Sequence, residues 1–122
     1  MPSKKVLIVE DDHHIAMALE IRLKSAGYRP VIAVDGIDGW EKVRSENPGL
    51  VILDITLPSL DGYTLCNMIK GNDELRGIPV IMLTGKDMIA DVEKGYNLGA
   101  VSYFRKPYNW AKLLECIKKH TP

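Results

Sequence analysis

Short, uninterrupted apolar runs alternate along the chain with segments in which apolar residues recur every three or four positions. The runs are typical of strands buried on both faces of a sheet, and the spaced segments are typical of amphipathic helices. This pattern predicts five strands and five helices in strict alternation. The predicted strands are Val6–Val9, Val31–Val34, Leu50–Leu53 ending on Asp54, Pro79–Leu83 and Val101–Arg105.

The predicted helices follow the strands, each with an apolar stripe on one side. The stripes lie within Ile15–Ala26, Asp38–Glu46, Leu65–Ile69, Ile89–Tyr96 and Trp110–Ile117. Polar and glycine residues mark their boundaries. Asp12 and Asn109 are suited to helix caps, Gly27 to a helix end and Asp61-Gly62 to a turn.

Strands that alternate with helices predict a parallel sheet with helices on both faces. The fold class is therefore α/β, a doubly wound five-stranded parallel sheet with five helices. A chain of 122 residues suits one domain, which we expect to span positions 1–122.

Composition excludes several classes of partner. Lysine plus arginine and aspartate plus glutamate each number 16, so the formal net charge is zero and predicts no attraction to nucleic acid or to a membrane surface. We expect no membrane span and no signal peptide, because no apolar run is long enough to cross a bilayer and the first residues lead directly into a strand. Cys66 and Cys116 lack metal-ligand spacing, so we expect reduced thiols in a cytoplasmic protein.

Polar or reactive groups follow four of the predicted strands. Strand one ends on Glu10 and Asp11, strand three on Asp54, strand four on Thr84 and strand five on Lys106. In the strand order 2-1-3-4-5, strands one and three are neighbours and flank the switch point at which doubly wound sheets bind ligands. We therefore expect the acidic groups to meet at this edge, although Asp54 could also simply cap the following loop.

Converging carboxylates require a compensating charge. Two like charges about 4 Å apart cost roughly 4 kcal/mol at an effective dielectric constant of about 20. Oxygen ligands with space for water suit magnesium. Lys106 offers a charge for phosphate, Thr84 offers a hydroxyl, and Gly85 allows the backbone N–H to approach an anion. Together with a nucleophilic aspartate, these groups are typical of phosphoryl transfer.

At this point the sequence resembles the receiver domain of two-component response regulators, the CheY-like family. The resemblance covers Lys5 to Lys119, and its motifs are specific because all of them occur in order at the right spacings. They are Val9-Glu10-Asp11-Asp12, Asp54-Ile55-Thr56-Leu57-Pro58 with Asp61-Gly62, Leu83-Thr84-Gly85, Gly99-Ala100 and Tyr103-Phe104-Arg105-Lys106-Pro107. The family has the flavodoxin-like strand order 2-1-3-4-5, of which CheY is a known example.

The resemblance implies a magnesium-dependent phosphoryl acceptor. Asp54 would accept the group from a phosphohistidine on a sensor histidine kinase or a phosphotransfer protein. Asp11 and Asp54 would bind magnesium directly, Thr56 would lend its backbone carbonyl, and Glu10 would hold the ion through water. Glu10 stands where the family often has aspartate.

The resemblance also implies how the signal leaves the site. Thr84 and Lys106 would bind the phosphoryl oxygens, Tyr103 would be an aromatic switch, and the Lys106–Pro107 bond would be cis. The surface of the fourth helix, fifth strand and fifth helix would then contact a downstream effector or output domain, or a second copy of the chain. Such a protein turns over no external substrate.

Three other functions compete with this interpretation. A degenerate receiver would act only as an interaction module. A dehalogenase-like phosphohydrolase needs a second aspartate two residues after the nucleophile, where this chain has Thr56. A flavin- or nucleotide-binding module needs a glycine- or hydroxyl-rich loop after strand one, where this chain has Glu10-Asp11-Asp12.

Overall fold

The computed structural model of the chain describes residues 4–85 and 99–121. The strands are β1 (Lys5–Val9), β2 (Arg29–Ala33), β3 (Leu50–Asp54), β4 (Val80–Thr84) and β5 (Ser102–Arg105). The helices are α1 (His13–Ser25), α2 (Gly36–Glu46), α3 (Gly62–Lys70) and the C-terminal helix (Trp110–His120). The helix predicted over Ile89–Tyr96 lies outside the described residues.

The five strands form one parallel sheet in the order β2-β1-β3-β4-β5. This confirms the predicted fold class and strand order. Val9 pairs with Leu53, so Glu10 and Asp54 follow side by side at the carboxyl edge. Asp54 in turn pairs with Leu83 of β4. The register therefore brings the ends of β1, β3 and β4 together at one edge.

Two apolar clusters, one on each face of the sheet, form the core. Val51 and Leu53 of β3 pack in a cluster that includes residues of α2 and α3. Leu50 and Ile52 pack in the other cluster, with residues of α1 and the C-terminal helix. Every residue of β3 is buried, because the strand is central and covered on both faces, as its uninterrupted apolar run predicted.

The outer strands are less buried. The residues of β5 are half-buried or exposed, because β5 lies at one edge of the sheet. β2 starts at Arg29 and includes Pro30, whereas the predicted strand began after this proline. Proline is tolerated in an edge strand because one side of the strand forms no ladder. The predicted last residue, Val34, lies beyond β2 and is 59% exposed.

Side-chain caps determine where the helices start. The Asp12 carboxylate accepts hydrogen bonds from the backbone N–H groups of His14 and Ile15 at 2.9 and 3.1 Å, and Asn109 caps the C-terminal helix. Both caps were predicted. α2 begins two residues earlier than predicted because Asp35 is its cap.

No helix within residues 4–85 and 99–121 is sufficiently long and apolar to cross a membrane.

Candidate functional site

Three carboxylates converge at the carboxyl edge of the sheet. Glu10 follows β1, and its backbone N–H donates to the carbonyl of Ala33 in β2 at 3.0 Å. Asp54 ends β3. One oxygen each of Glu10, Asp11 and Asp54 lies within 4.8 Å of the other two. Glu10 and Asp54 are only 3% and 6% exposed, whereas Asp11 is exposed. The structure thus brings together the acids that strand order predicted.

Lys106 contributes a positive charge to the acidic site. Its backbone N–H donates to the carbonyl of Thr84 at 2.7 Å, which holds the residue beside the end of β4. Its ammonium group donates to both oxygens of Glu10, at 3.2 and 3.1 Å, and to Oδ2 of Asp54 at 3.1 Å. The peptide bond between Lys106 and Pro107 is cis, as predicted. The single ammonium group therefore joins two carboxylates.

Both oxygens of the Asp54 carboxylate are hydrogen bonded. Oδ1 accepts from the backbone N–H of Thr56 at 3.2 Å, and Oδ2 accepts from Lys106. The following residue, Ile55, donates its backbone N–H to the carbonyl of Leu83 at 3.1 Å. These bonds fix the orientation of the carboxylate at the end of the buried strand, which is what a nucleophile in an in-line displacement requires.

The close approach of these charges changes the pKa values of two groups. Burial and the neighbouring Asp54 raise the pKa of Glu10 from 4.5 to about 7, against the opposing effect of Lys106. Burial lowers the pKa of Lys106, but the Asp54 and Glu10 carboxylates outweigh it and the pKa is raised overall. With the acids ionised, three carboxylates and one ammonium leave the site with excess negative charge.

The donor set of the acidic site fits magnesium. Its three candidate ligands are all carboxylates, and magnesium prefers oxygen ligands and retains several waters. Two of the carboxylates are buried and the third is exposed, so solvent can complete a coordination shell on the Asp11 side. Within residues 4–85 and 99–121, this is the one group of three His, Cys, Asp or Glu side chains close enough to share an ion.

Glu10→Gln is expected to alter how stability depends on pH in the presence of a chelator. The pKa of Glu10 rises from 4.5 to about 7, so folding favours its neutral form. Its contribution to stability is present in full below about pH 4.5 and is lost as the pH rises through about 7. The variant, which is neutral throughout, should not show this loss and should be about 1–3 kcal/mol more stable than the wild type at about pH 8.

Urea unfolding at about pH 5 and about pH 8 measures this effect. Glu74→Gln is the matched control, because Glu74 is exposed and outside the acidic site. If Glu10→Gln and the wild type lose the same free energy of unfolding between the two pH values, the burial of an ionised Glu10 does not destabilise the fold.

The remaining predicted site residues occupy the same edge or its surroundings. Thr84 is buried at the end of β4, and Thr56 is exposed directly after β3. Tyr103 is half-buried in β5 and packs on the cluster beneath α2 and α3. Asp12 does not join the acidic group; it caps α1, as predicted. The positions of Thr84, Thr56 and Tyr103 are compatible with the roles that the family resemblance implies for them. These roles stay predictions.

Sequence reasoning missed the contacts that fix the loop after Asp54. Gly62 is the first residue of α3, not a turn residue, and a side chain on it would place Cβ 2.3 Å from the carbonyl oxygen of Asp54. The same loop meets the start of α2, where Gly36 donates its N–H to the carbonyl of Pro58 at 3.3 Å. The sequence contains one signal of these contacts, which is a glycine at the first position of both α2 and α3.

Comparison with known proteins identifies the family. Residues 6–118 match the family model described as "Response regulator receiver domain". Protein PilG of Pseudomonas aeruginosa is 38% identical over 118 residues, which cover 97% of this chain and 87% of PilG. The DNA-binding dual master transcriptional regulator RpaA of Synechocystis is 36% identical over 114 residues, which cover 93% of this chain but 47% of RpaA.

A solved structure agrees with these relatives. The BeF3-activated N-terminal receiver domain of Klebsiella pneumoniae RstA superposes with a TM-score of 0.89 at 31% identity, and the match covers 96% of this chain and 97% of that one. The family model, the relatives and the fold all point to the same assignment. The chain belongs to the response regulator receiver domain family of two-component signal transduction.

Proposed function

We propose that the chain is an active, phospho-accepting receiver in which Asp54 takes a phosphoryl group from a sensor histidine kinase or a phosphotransfer protein. One observation carries the proposal: the buried Asp54 carboxylate lies 3.1 Å from the Lys106 ammonium and shares an edge with Glu10 and Asp11. In a receiver that is never phosphorylated, three closely spaced carboxylates would serve no function, and their mutual repulsion would oppose folding.

The proposed reaction is a direct displacement at phosphorus. A carboxylate oxygen of Asp54 forms a P–O bond as the P–N bond to the donor histidine breaks, and the electron pair stays with the imidazole. Negative charge on the phosphoryl oxygens is balanced by Lys106 and by a hydrogen bond from the Thr84 hydroxyl. Such preorganised charges provide most of the catalysis in phosphoryl transfer.

The excess negative charge of the site supports a role for magnesium in this proposal. Asp11 and Asp54 would hold the ion directly, Thr56 through its carbonyl and Glu10 through water. The bound ion would neutralise charge on the phosphoryl oxygens and on the acids. The chain's own groups orient the nucleophile: the Thr56 N–H and the Lys106 ammonium each bind one oxygen of Asp54.

Intact-mass spectrometry with a small acyl-phosphate donor tests this function. Wild-type protein is expected to gain one phosphoryl group in the presence of magnesium and none in the presence of a chelator. Borohydride reduction of the acyl phosphate, followed by peptide mapping, should locate the group on Asp54. An adduct of equal yield with chelator, or one located on another residue, contradicts the proposal. No adduct from either a small donor or a phosphohistidine protein would favour the degenerate receiver.

In the proposed switch, the surface that includes β5 and the C-terminal helix contacts the partner. Tyr103 lies in β5, three residues before Lys106, and would respond when Thr84 binds phosphate. The partner would be a downstream effector or an output domain, and the same surface would serve a homodimer. The helix predicted over Ile89–Tyr96, which would complete this surface, lies outside the described residues.

Three further parts of the proposal rest on the sequence. We expect no turnover of external substrates, since Thr56 occupies the position of the general acid in dehalogenase-like phosphohydrolases. The absence of phosphate release from small phosphate esters would agree with this expectation. We also expect one domain over positions 1–122 and a cytoplasmic location.

A further inference from the structure

The side chain of Lys70 holds the turn that joins α3 to β4. Its terminal nitrogen donates hydrogen bonds to the backbone carbonyls of Arg76 and Ile78, at 3.0 and 2.7 Å. Its aliphatic stem lies against Gly99, where an added Cβ would be 3.1 Å from Cγ of the lysine. Lys70 therefore connects the end of α3 with the start of β4 and with the segment that precedes β5.

The hydrogen-bond partners of Lys70 are uncharged. Lys42 provides a comparison, because it is also half-buried and donates to a backbone carbonyl, that of Ile32, at 2.6 Å. Lys42 in addition forms an ion pair with Asp38 at 3.2 Å. In the part of the chain that the structure describes, no carboxylate forms an ion pair with Lys70. The protonated form of Lys70 thus lacks the stabilising carboxylate that Lys42 has.

These surroundings favour the neutral amine of Lys70. Burial lowers its pKa, against a smaller opposing effect of Cys66, which lies one turn earlier in α3. Asp73 and Arg76, in the turn itself, are exposed and pair with each other at 3.5 Å, and Glu74 is also exposed. A neutral amine retains two N–H groups, which match the two carbonyls, and gains a lone pair that can attack an electrophile.

A small molecule can reach this amine from solvent. The hydrogen bond to the Arg76 carbonyl lies at the surface, whereas Ile78 is buried. We propose that Lys70 is a site of acylation by small acyl phosphates, and that acylation releases the turn between α3 and β4. This modification is independent of phosphoryl transfer, because Asp54 would attack the phosphorus of such a donor and Lys70 would attack its carbonyl carbon.

The proposed acylation replaces a C–O bond of the donor with a C–N bond. The lone pair of Nζ attacks the carbonyl carbon, inorganic phosphate leaves with the electron pair of the C–O bond, and the nitrogen loses a proton to water. The product carries no charge and retains a single N–H. Only one of the two carbonyls can then keep its hydrogen bond to Lys70, so the turn is held less firmly.

Acetylation of the wild-type protein tests the site. The protein is treated with acetyl phosphate in the presence of a chelator, and peptide mapping by mass spectrometry follows each lysine. We expect Lys70 to be acetylated about five-fold faster than Lys42 at about pH 8, the factor by which a part-exposed ion pair can favour the protonated form. The rate at Lys70 should also level off at a lower pH than the rate at Lys42.

Either of two results would overturn the assignment of this site. Lys70 could react no faster than Lys42, or the two rates could level off at the same pH. Acetyl and phosphoryl adducts differ in mass, so a failure of this proposal is distinguishable from a failure of phosphoryl uptake at Asp54.

Hydrogen exchange tests the release of the turn. The backbone N–H groups of Leu75, Arg76 and Ile78 form hydrogen bonds within the turn, and they are expected to exchange faster in acetylated than in untreated protein. Lys70→Arg is the matched control, because a guanidinium can donate to both carbonyls but stays protonated and is not acylated. If exchange is unchanged once Lys70 is acetylated, or rises equally in treated Lys70→Arg, acylation of Lys70 does not release the turn.

Discussion

Asp54→Asn is expected to take up no phosphoryl group from an acyl phosphate with magnesium present, under conditions in which the wild type takes up one per chain. An amide oxygen is a poor nucleophile, whereas the carboxylate of Asp54 is held by Thr56 and Lys106 at the end of β3. Intact-mass spectrometry measures the difference. A variant that still gains one phosphoryl group at a single site would show that another residue is the acceptor.

The fold of Asp54→Asn should persist, which separates loss of chemistry from loss of structure. Asparagine retains an oxygen that can accept from the Thr56 N–H, and Lys106 retains both bonds to Glu10. The substitution also removes one of three mutually repelling charges. We therefore expect the free energy of unfolding to change by no more than about 1 kcal/mol in urea.

Asp12→Asn is the matched control for this experiment. Asp12 is exposed and caps α1 through its side chain, and asparagine is an equally good cap. The control makes the same chemical change close to the acidic site but outside it. It should take up phosphoryl groups like the wild type. If this variant also fails to take up phosphoryl groups, uptake depends on the total negative charge at the carboxyl edge of the sheet and not on a single nucleophile.

Gly62→Ala is expected to destabilise the fold by about 3 kcal/mol, at the upper end of overpacking effects. The added Cβ would lie 2.3 Å from the carbonyl oxygen of Asp54 and 2.7 Å from the Cα of Ile55. Both are backbone atoms, so no side chain can rotate away. Either α3 or the end of β3 must move. The urea midpoint should fall accordingly, and phosphoryl uptake should slow because Asp54 is displaced.

Gly77→Ala makes the same substitution where a side chain meets no other atom within 4 Å. Its free energy of unfolding should stay within about 0.5 kcal/mol of the wild-type value. Equal urea midpoints for the two alanine variants would mean that α3 adjusts without cost and that Gly62 does not control the position of Asp54.

The sequence predicted much of the fold because the relevant signals are local. Burial on both faces makes a central strand apolar throughout, so the run Leu50–Leu53 identified β3. The caps at Asp12 and Asn109 were predictable since a cap bonds the backbone only two or three residues away. Boundaries were less certain where tertiary contacts decide them, as at Pro30 in the edge strand β2.

The sequence also predicted which residues gather at the site, once the strand order was assumed. Strand-end residues of a parallel sheet share one edge, so Glu10, Asp54 and Lys106 were expected there. The sequence could not determine which of them touch. The ion pairs of Lys106 with Asp54 and Glu10 join residues 52 and 96 positions apart, and no local pattern encodes contacts over such distances.

By itself, then, the sequence determined the alternation of strands and helices, the central position of β3 and the set of groups at the carboxyl edge, because each follows from periodicity and from the common direction of parallel strands. Only the tertiary structure decided that Lys106 binds both oxygens of Glu10 and that Gly62 must lack a side chain beside Asp54. These contacts depend on distances of a few ångströms between separate elements, and such distances are fixed only when the helices pack on the sheet.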